Sequence, residues 1–185
     1  MRVIKGDLPH GVFWEGIYYP IKTDFRVWLS VSELLETKDM AHASERAPDL
    51  CYIKKRPASP KGAFLALMDF YLAGEKPKKE TKNTERLFSF SEDEELIYAS
   101  FLKEYGIDLA KEEMHWWRFV ALLRSLGPDT ALSKVMSIRM AKPSDIKNPK
   151  ERRHLLRQKR LFALSKKDVD AGDVLAELFN YEEVR

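Results

Sequence analysis

The sequence predicts a mainly α-helical protein of about six or seven helices with a short β-hairpin at its N-terminus. Three observations carry this. Apolar residues recur at steps of three and four through most of the chain. Alternating, β-favouring residues are confined to the first 22 positions. Capping residues and glycine or proline stops bracket the helical stretches.

The hairpin is read from Val12-Phe13-Trp14 and Ile17-Tyr18-Tyr19, which flank the turn pair Glu15-Gly16. Both runs are rich in residues that suit a pleated surface. Pro9 and Pro20 confine these strands to edges or ends. A first helix follows through Phe25, Trp28, Leu29, Val31, Leu34 and Leu35, with Thr23 and Asp24 as competing N-caps. Ala47-Pro48-Asp49 starts a short helix through Leu50, Tyr52 and Ile53, ended by Pro57. Ser59-Pro60 is a cap followed by a first-turn proline. The helix it opens runs through Phe64, Leu67, Phe70 and Tyr71 and stops at Gly74.

Residues 76–90 are polar and lysine-rich and form a linker candidate between an N-terminal region, 1–75, and a C-terminal helical region, 91–185. Beyond it, Ser91 and Glu94 make a capping-box pattern, and Glu92–Glu95 place negative charge at the positive end of a helix dipole. Ile97, Tyr98, Phe101, Leu102 and Tyr105 supply one apolar face, and Gly106 is the left-handed stop. The next helix is expected from about Leu109 to Leu126, apolar over more than one face and carrying His115-Trp116-Trp117. Further helices are expected over Asp129 to Met140, Asn148 to Leu164 and Ser165 to Tyr181.

Composition excludes several classes of function. Hydrophobic residues are 44% and aromatic residues 11% of the 185, which is enough for a true core. The 32 basic and 29 acidic residues leave a net charge of +3, too small to imply nucleic acid by itself. Cys51 is the lone cysteine, so no internal disulfide forms, and a reducing, cytoplasmic setting is expected. The four histidines lack ligand spacing, so no metal and no cofactor are expected. No leader-like run opens the chain and no stretch is long enough for a membrane span.

No nucleophile elbow, phosphate loop or zinc-protease motif is present, and no catalytic residue is assigned. Glu112, Glu113 and His115 are close in sequence, but neighbours at one or two positions do not face each other on a helix. Two features suit partner binding instead. One is the aromatic block, where Trp116 and Phe119 are the candidate anchors. The other is the stretch from Lys147 to Lys167, with nine Lys or Arg against the single acid Glu151. Within it Lys150, Arg153, Arg157 and Arg160 fall at steps of three, four and three and form one stripe, with Leu155 and Phe162 roughly opposite. Such a stripe suits an acidic or phosphate-bearing partner. The acidic turn Glu92–Glu95 of one copy could also meet it in another, giving head-to-tail self-association.

The order of segments resembles the bacteriophage "gene product fifteen" family of long-tailed phages and prophages of Gram-positive bacteria. The carrying pieces are YYPIKTDFRVW (18–28), MDFYLAGE (68–75), FSFSEDEELIYASFLKEYGIDL (88–109) and MHWWRFVALLRSLGPDT (114–130). Members are typically encoded just upstream of the tail tape-measure protein. The resemblance therefore implies a tail assembly chaperone in the host cytoplasm that binds the tape-measure protein during tail morphogenesis. It brings no catalytic residues, cofactor or membrane association. Two other readings stand beside it: a structural component of the tail or neck, and a nucleic-acid-binding regulator using the basic helix.

Overall fold

The computed structural model describes residues 8–37, 39–73 and 87–165. Among them are seven α-helices and one two-stranded antiparallel sheet, the mainly helical class that the sequence predicts. The chain divides into two compact units. The first takes the described residues up to 73 together with Glu113–Ala121. The second takes 87–112 and 122–165. Residues 113–121, assigned from sequence to the C-terminal region, thus belong with the N-terminal elements. Most of the expected linker and the helix expected from Ser165 to Tyr181 lie outside the described residues.

In the first unit, β1 (Gly11–Trp14) pairs with β2 (Ile17–Pro20), with Val12 opposite Tyr19 and Phe13 opposite Tyr18. Glu15 and Gly16 turn the chain at positive φ, 50° and 77°. The helix α1 (Phe25–Leu35) is capped by Asp24, whose carboxylate accepts from the Arg26 N–H at 3.0 Å, which settles the choice against Thr23. It buries Phe25, Trp28, Val31 and Leu35. The helix α2 spans Met40–Cys51. The sequence predicts a helix that starts at Ala47, near where this one ends. The small residues Ala43 and Ala47 make its buried stripe, a weaker signal than large apolar side chains, and Pro48 stands inside the helix instead of opening it. Ser59 caps α3 (Pro60–Tyr71), the most buried helix of the unit. Its Gly62 lies under the Trp14 ring, where a Cβ would come within 2.5 Å of an indole carbon. That glycine lets the hairpin seat against α3.

In the second unit, α4 (Glu94–Tyr105) begins at an Asp93 cap, two residues beyond the expected Ser91. Ser89 takes the capping task one turn upstream, accepting from the Glu92 N–H at 3.2 Å. Gly106 ends α4 at φ 68°, the left-handed stop that the sequence predicts. The helices α6 (Ala131–Met140) and α7 (Pro149–Leu161) complete the unit, joined by a 3-10 turn at Pro143–Asp145. Ser100 links α4 to α6: its Oγ donates to Leu96 O and accepts from the Leu132 N–H.

The remaining helix, α5, is Trp116–Arg124, shorter than the expected Leu109 to Leu126. The reason is a competing use of the backbone. Phe25 N–H donates to Met114 O at 2.8 Å, and Trp116 N–H donates to Thr23 O at 2.7 Å. Asp24 and His115 form an antiparallel bridge between them. Met114 and His115 are held extended by this pairing, so the helix begins only at Trp116, whose N–H has no partner inside its own helix and is free to bond Thr23.

Candidate partner-binding surface

The aromatic block is a core and offers no surface anchor. Trp116 is 2% exposed and Phe119 is wholly buried. Trp116 stacks on Tyr71 at 5.4 Å and on Phe119 at 5.7 Å, and Phe119 stacks on Phe25 at 4.8 Å. Both expected anchors are thereby corrected: their rings are spent inside the first unit. Their polar edges are spent as well. The indole N–H of Trp28 donates to Lys22 O, that of Trp116 to Tyr71 O and that of Trp117 to Phe70 O. A buried indole needs such a partner. Trp117 is half-buried.

His115 caps α5. Its Nδ1 accepts from the Trp117 N–H at 3.1 Å, which leaves Nε2 to carry the proton and donate to Pro9 O at 3.0 Å. Burial holds its pKa below the usual histidine value, opposed by the Pro9 carbonyl and helped by His10, whose ring lies 5.9 Å away. With both ring nitrogens engaged, His115 is a joint of the fold. Glu113 beside it is exposed. Cys51 is fully buried, and desolvation pushes its thiol pKa up to about 12, so it is poorly placed to react as thiolate.

The basic stretch has a different fate. Asn148 caps α7, with its carbonyl oxygen accepting from the Lys150 N–H. Leu155 faces inward and is 7% exposed. Lys150, Arg153, Arg157 and Arg160 are all exposed, and none makes an ion pair with a described residue. Lys159 alone points back, donating to Arg139 O and Ala141 O and so closing the C-terminus of α6. Beside the stripe lies a shallow, mainly apolar groove of about 460 Å³, lined by Ile146, Lys150, Glu151, His154, Leu155 and Gln158.

The acidic turn is largely used internally. Asp93 is 2% exposed and receives Arg139 through two bonds, at 2.6 and 2.8 Å. Glu92 accepts from both the backbone N–H and the hydroxyl of Ser165. Glu94 and Glu95 remain exposed. Sequence reasoning missed Arg139 altogether, because an arginine near a helix end reads as a solvated dipole partner.

Among the described residues, no group of His, Cys, Asp and Glu is placed to hold a metal ion, and no helix is long and apolar enough to cross a membrane. What the described residues present is a helical protein with a cationic face on α7 that makes no ion pair among them. The chain belongs to the bacteriophage Gp15 protein family, whose model matches residues 4–164, and is thereby a phage protein. Comparison with curated proteins and with solved structures gives no match.

Proposed function

We propose that this phage protein is a tail assembly chaperone that binds the tape-measure protein in the host cytoplasm and acts by non-covalent contact, without turnover. Family membership and the gene position typical of that family motivate the reading. The observation that carries it to particular residues is the cationic face of α7, with Lys150, Arg153, Arg157 and Arg160 exposed and without an ion pair among the described residues. Clustered like charge repels itself, so a face that no acid among the described residues offsets suits an external partner. A long helical partner also allows several copies to bind side by side, and avidity then offsets weak single contacts.

Co-expression with the tape-measure protein followed by pull-down tests this. The chaperone reading expects a complex, soluble tape-measure protein only when this chain is present, and depletion of the chain from purified particles by mass spectrometry. A stoichiometric amount in the mature particle would instead identify a structural component of the tail or neck.

A further inference from the structure

We infer that the exposed face of α7 and the groove beside it are a docking site for an acidic, amphipathic helix of a protein partner. Carboxylates of that helix would meet the cationic stripe, and one of its apolar side chains would enter the groove. This rests on α7 being the partner surface of the function proposed above, and it specifies the chemistry of what binds there.

Charge is the first argument. Lys150, Arg153, Arg157 and Arg160 are exposed, and among the described residues no acidic side chain lies at ion-pair distance from them. They span eleven residues of α7, about 15 Å of helix axis. Their steps of three and four match the spacing at which a facing helix repeats its own side chains. The arginine fork adds directional, two-point recognition of carboxylates.

The groove is the second argument. Lys150 belongs to both stripe and groove, so the two surfaces are continuous. Ile146 and Leu155 contribute apolar wall. A phosphate backbone has no use for such a wall. Stacking of single-stranded bases would call for exposed aromatic rings, and α7 itself carries no Phe, Tyr or Trp. A membrane surface would call for one free apolar face on the helix. Here Leu155 is turned inward, and the exposed Leu156 and Leu161 stand on either side of the arginines, about 140° apart around the axis. An amphipathic helix with acidic flanks uses both surfaces at once.

The test uses the full chain and fluorescence anisotropy. The probe is a labelled synthetic helix of about five turns with Glu and Leu at helical spacing. Its controls are the same helix with Ser for Leu, single-stranded poly(dT), and vesicles of phosphatidylserine with phosphatidylcholine. The Glu/Leu helix should bind, more weakly as salt rises. R153E/R157E/R160E should lose at least about tenfold in affinity while keeping its circular dichroism spectrum and melting temperature. The Ser control should bind several-fold more weakly. Equal binding of the Ser control would remove the groove from the site and overturn the inference. Tighter binding of poly(dT) or vesicles than of the Glu/Leu helix would overturn it in favour of those classes. Dissociation of a dimer to monomer by R153E/R157E/R160E would overturn it in favour of a second copy. Tape-measure protein captured equally well by that variant would sink the docking site and leave the chaperone reading intact. Binding of the Glu/Leu helix without tape-measure capture would do the reverse.

Discussion

The two units differ in what they add to a buried apolar core. In the first, the core is dominated by rings: Trp28, Phe70, Tyr71, Trp116 and Phe119 lie in one chain of ring contacts between 4.6 and 6.4 Å. The second buries Phe101, Leu132, Ile97 and Val135 and adds a charge. Arg139 is 9% exposed and holds Asp93, the Leu87 carbonyl and the Phe162 carbonyl together. Ring burial is tolerant of exact geometry, because apolar contact has no direction. A buried guanidinium is not, because each unpaired donor carries a desolvation cost. The first unit should therefore respond to lost volume, and the second to lost partners.

The largest effect is expected at Trp116. Trp116→Ala removes a ring that is 2% exposed and takes away the indole N–H that donates to the Tyr71 carbonyl. Urea unfolding should show a loss toward the upper end of roughly 3–5 kcal/mol. A loss below about 1 kcal/mol, the scale of an ordinary substitution, would mean that the ring is not central to the unit.

Next comes the ion pair. Arg139→Met leaves Asp93 buried without its cation, although the Ser89 N–H still donates to it at 3.0 Å. That residual bond places the expected cost near the low end, about 3 kcal/mol. Adding Asp93→Asn to Arg139→Met should recover part of the loss, since two neutral groups need less solvation than one lone charge. A double-mutant cycle with zero coupling would show that the pair acts as two independent contacts and would break the contrast between the units.

A smaller effect is expected at the junction of residues 23–25 with 114–116. The neutral His115 ring accepts the Trp117 N–H through Nδ1, and protonation would replace that acceptor with a donor. Because burial lowers its folded pKa, the native state binds fewer protons than the unfolded chain. Stability contributed by His115 is therefore complete above the unfolded value, about 6.5, and is lost as pH falls through the lower folded value. His10 is the titratable ring facing it, and Asp24 lies opposite on the bridge. His115→Asn keeps a capping acceptor without a titrating ring. Its melting temperature should fall less than that of the native chain between pH 7 and pH 5. Parallel pH curves for the two proteins would rule out His115 as the source.

The legibility of the chain follows the same division. The hairpin, the Asp24 and Ser59 caps and the Gly106 stop rest on local backbone rules, and each forms where its residues announce it. The expected helix start at Leu109 failed because Met114 and His115 pair with residues about 90 positions earlier, a contact that no window of sequence contains. The same pairing explains Trp116 and Phe119: an aromatic block marks burial as readily as binding, and only the partner segment 23–25 decides which. Arg139 was illegible for a related reason. Its acid lies 46 residues away in a turn whose four carboxylates look alike in sequence. The exposed stripe on α7 was legible because periodicity alone sets which residues share a face.

The smallest effect on stability is expected on α7, and it sharpens the comparison within one residue type. Arg139 and Arg157 belong to the same unit, yet one is held by two carboxylate bonds and two carbonyls while the other is exposed with no ion pair among the described residues. Reversing Arg153 or Arg157 relieves repulsion among the clustered cations, and at Arg157 it also brings an acid into the C-terminal half of the helix, where the dipole disfavours it. The two effects oppose, and no buried contact is lost. Each single reversal should move the melting temperature by less than about 2 °C. A fall as large as that of Arg139→Met would mean that the stripe is part of the fold. A negligible shift, together with weakened capture of an acidic partner, would place the charge of this face in recognition and leave Arg139 as the arginine that the second unit needs in order to stand.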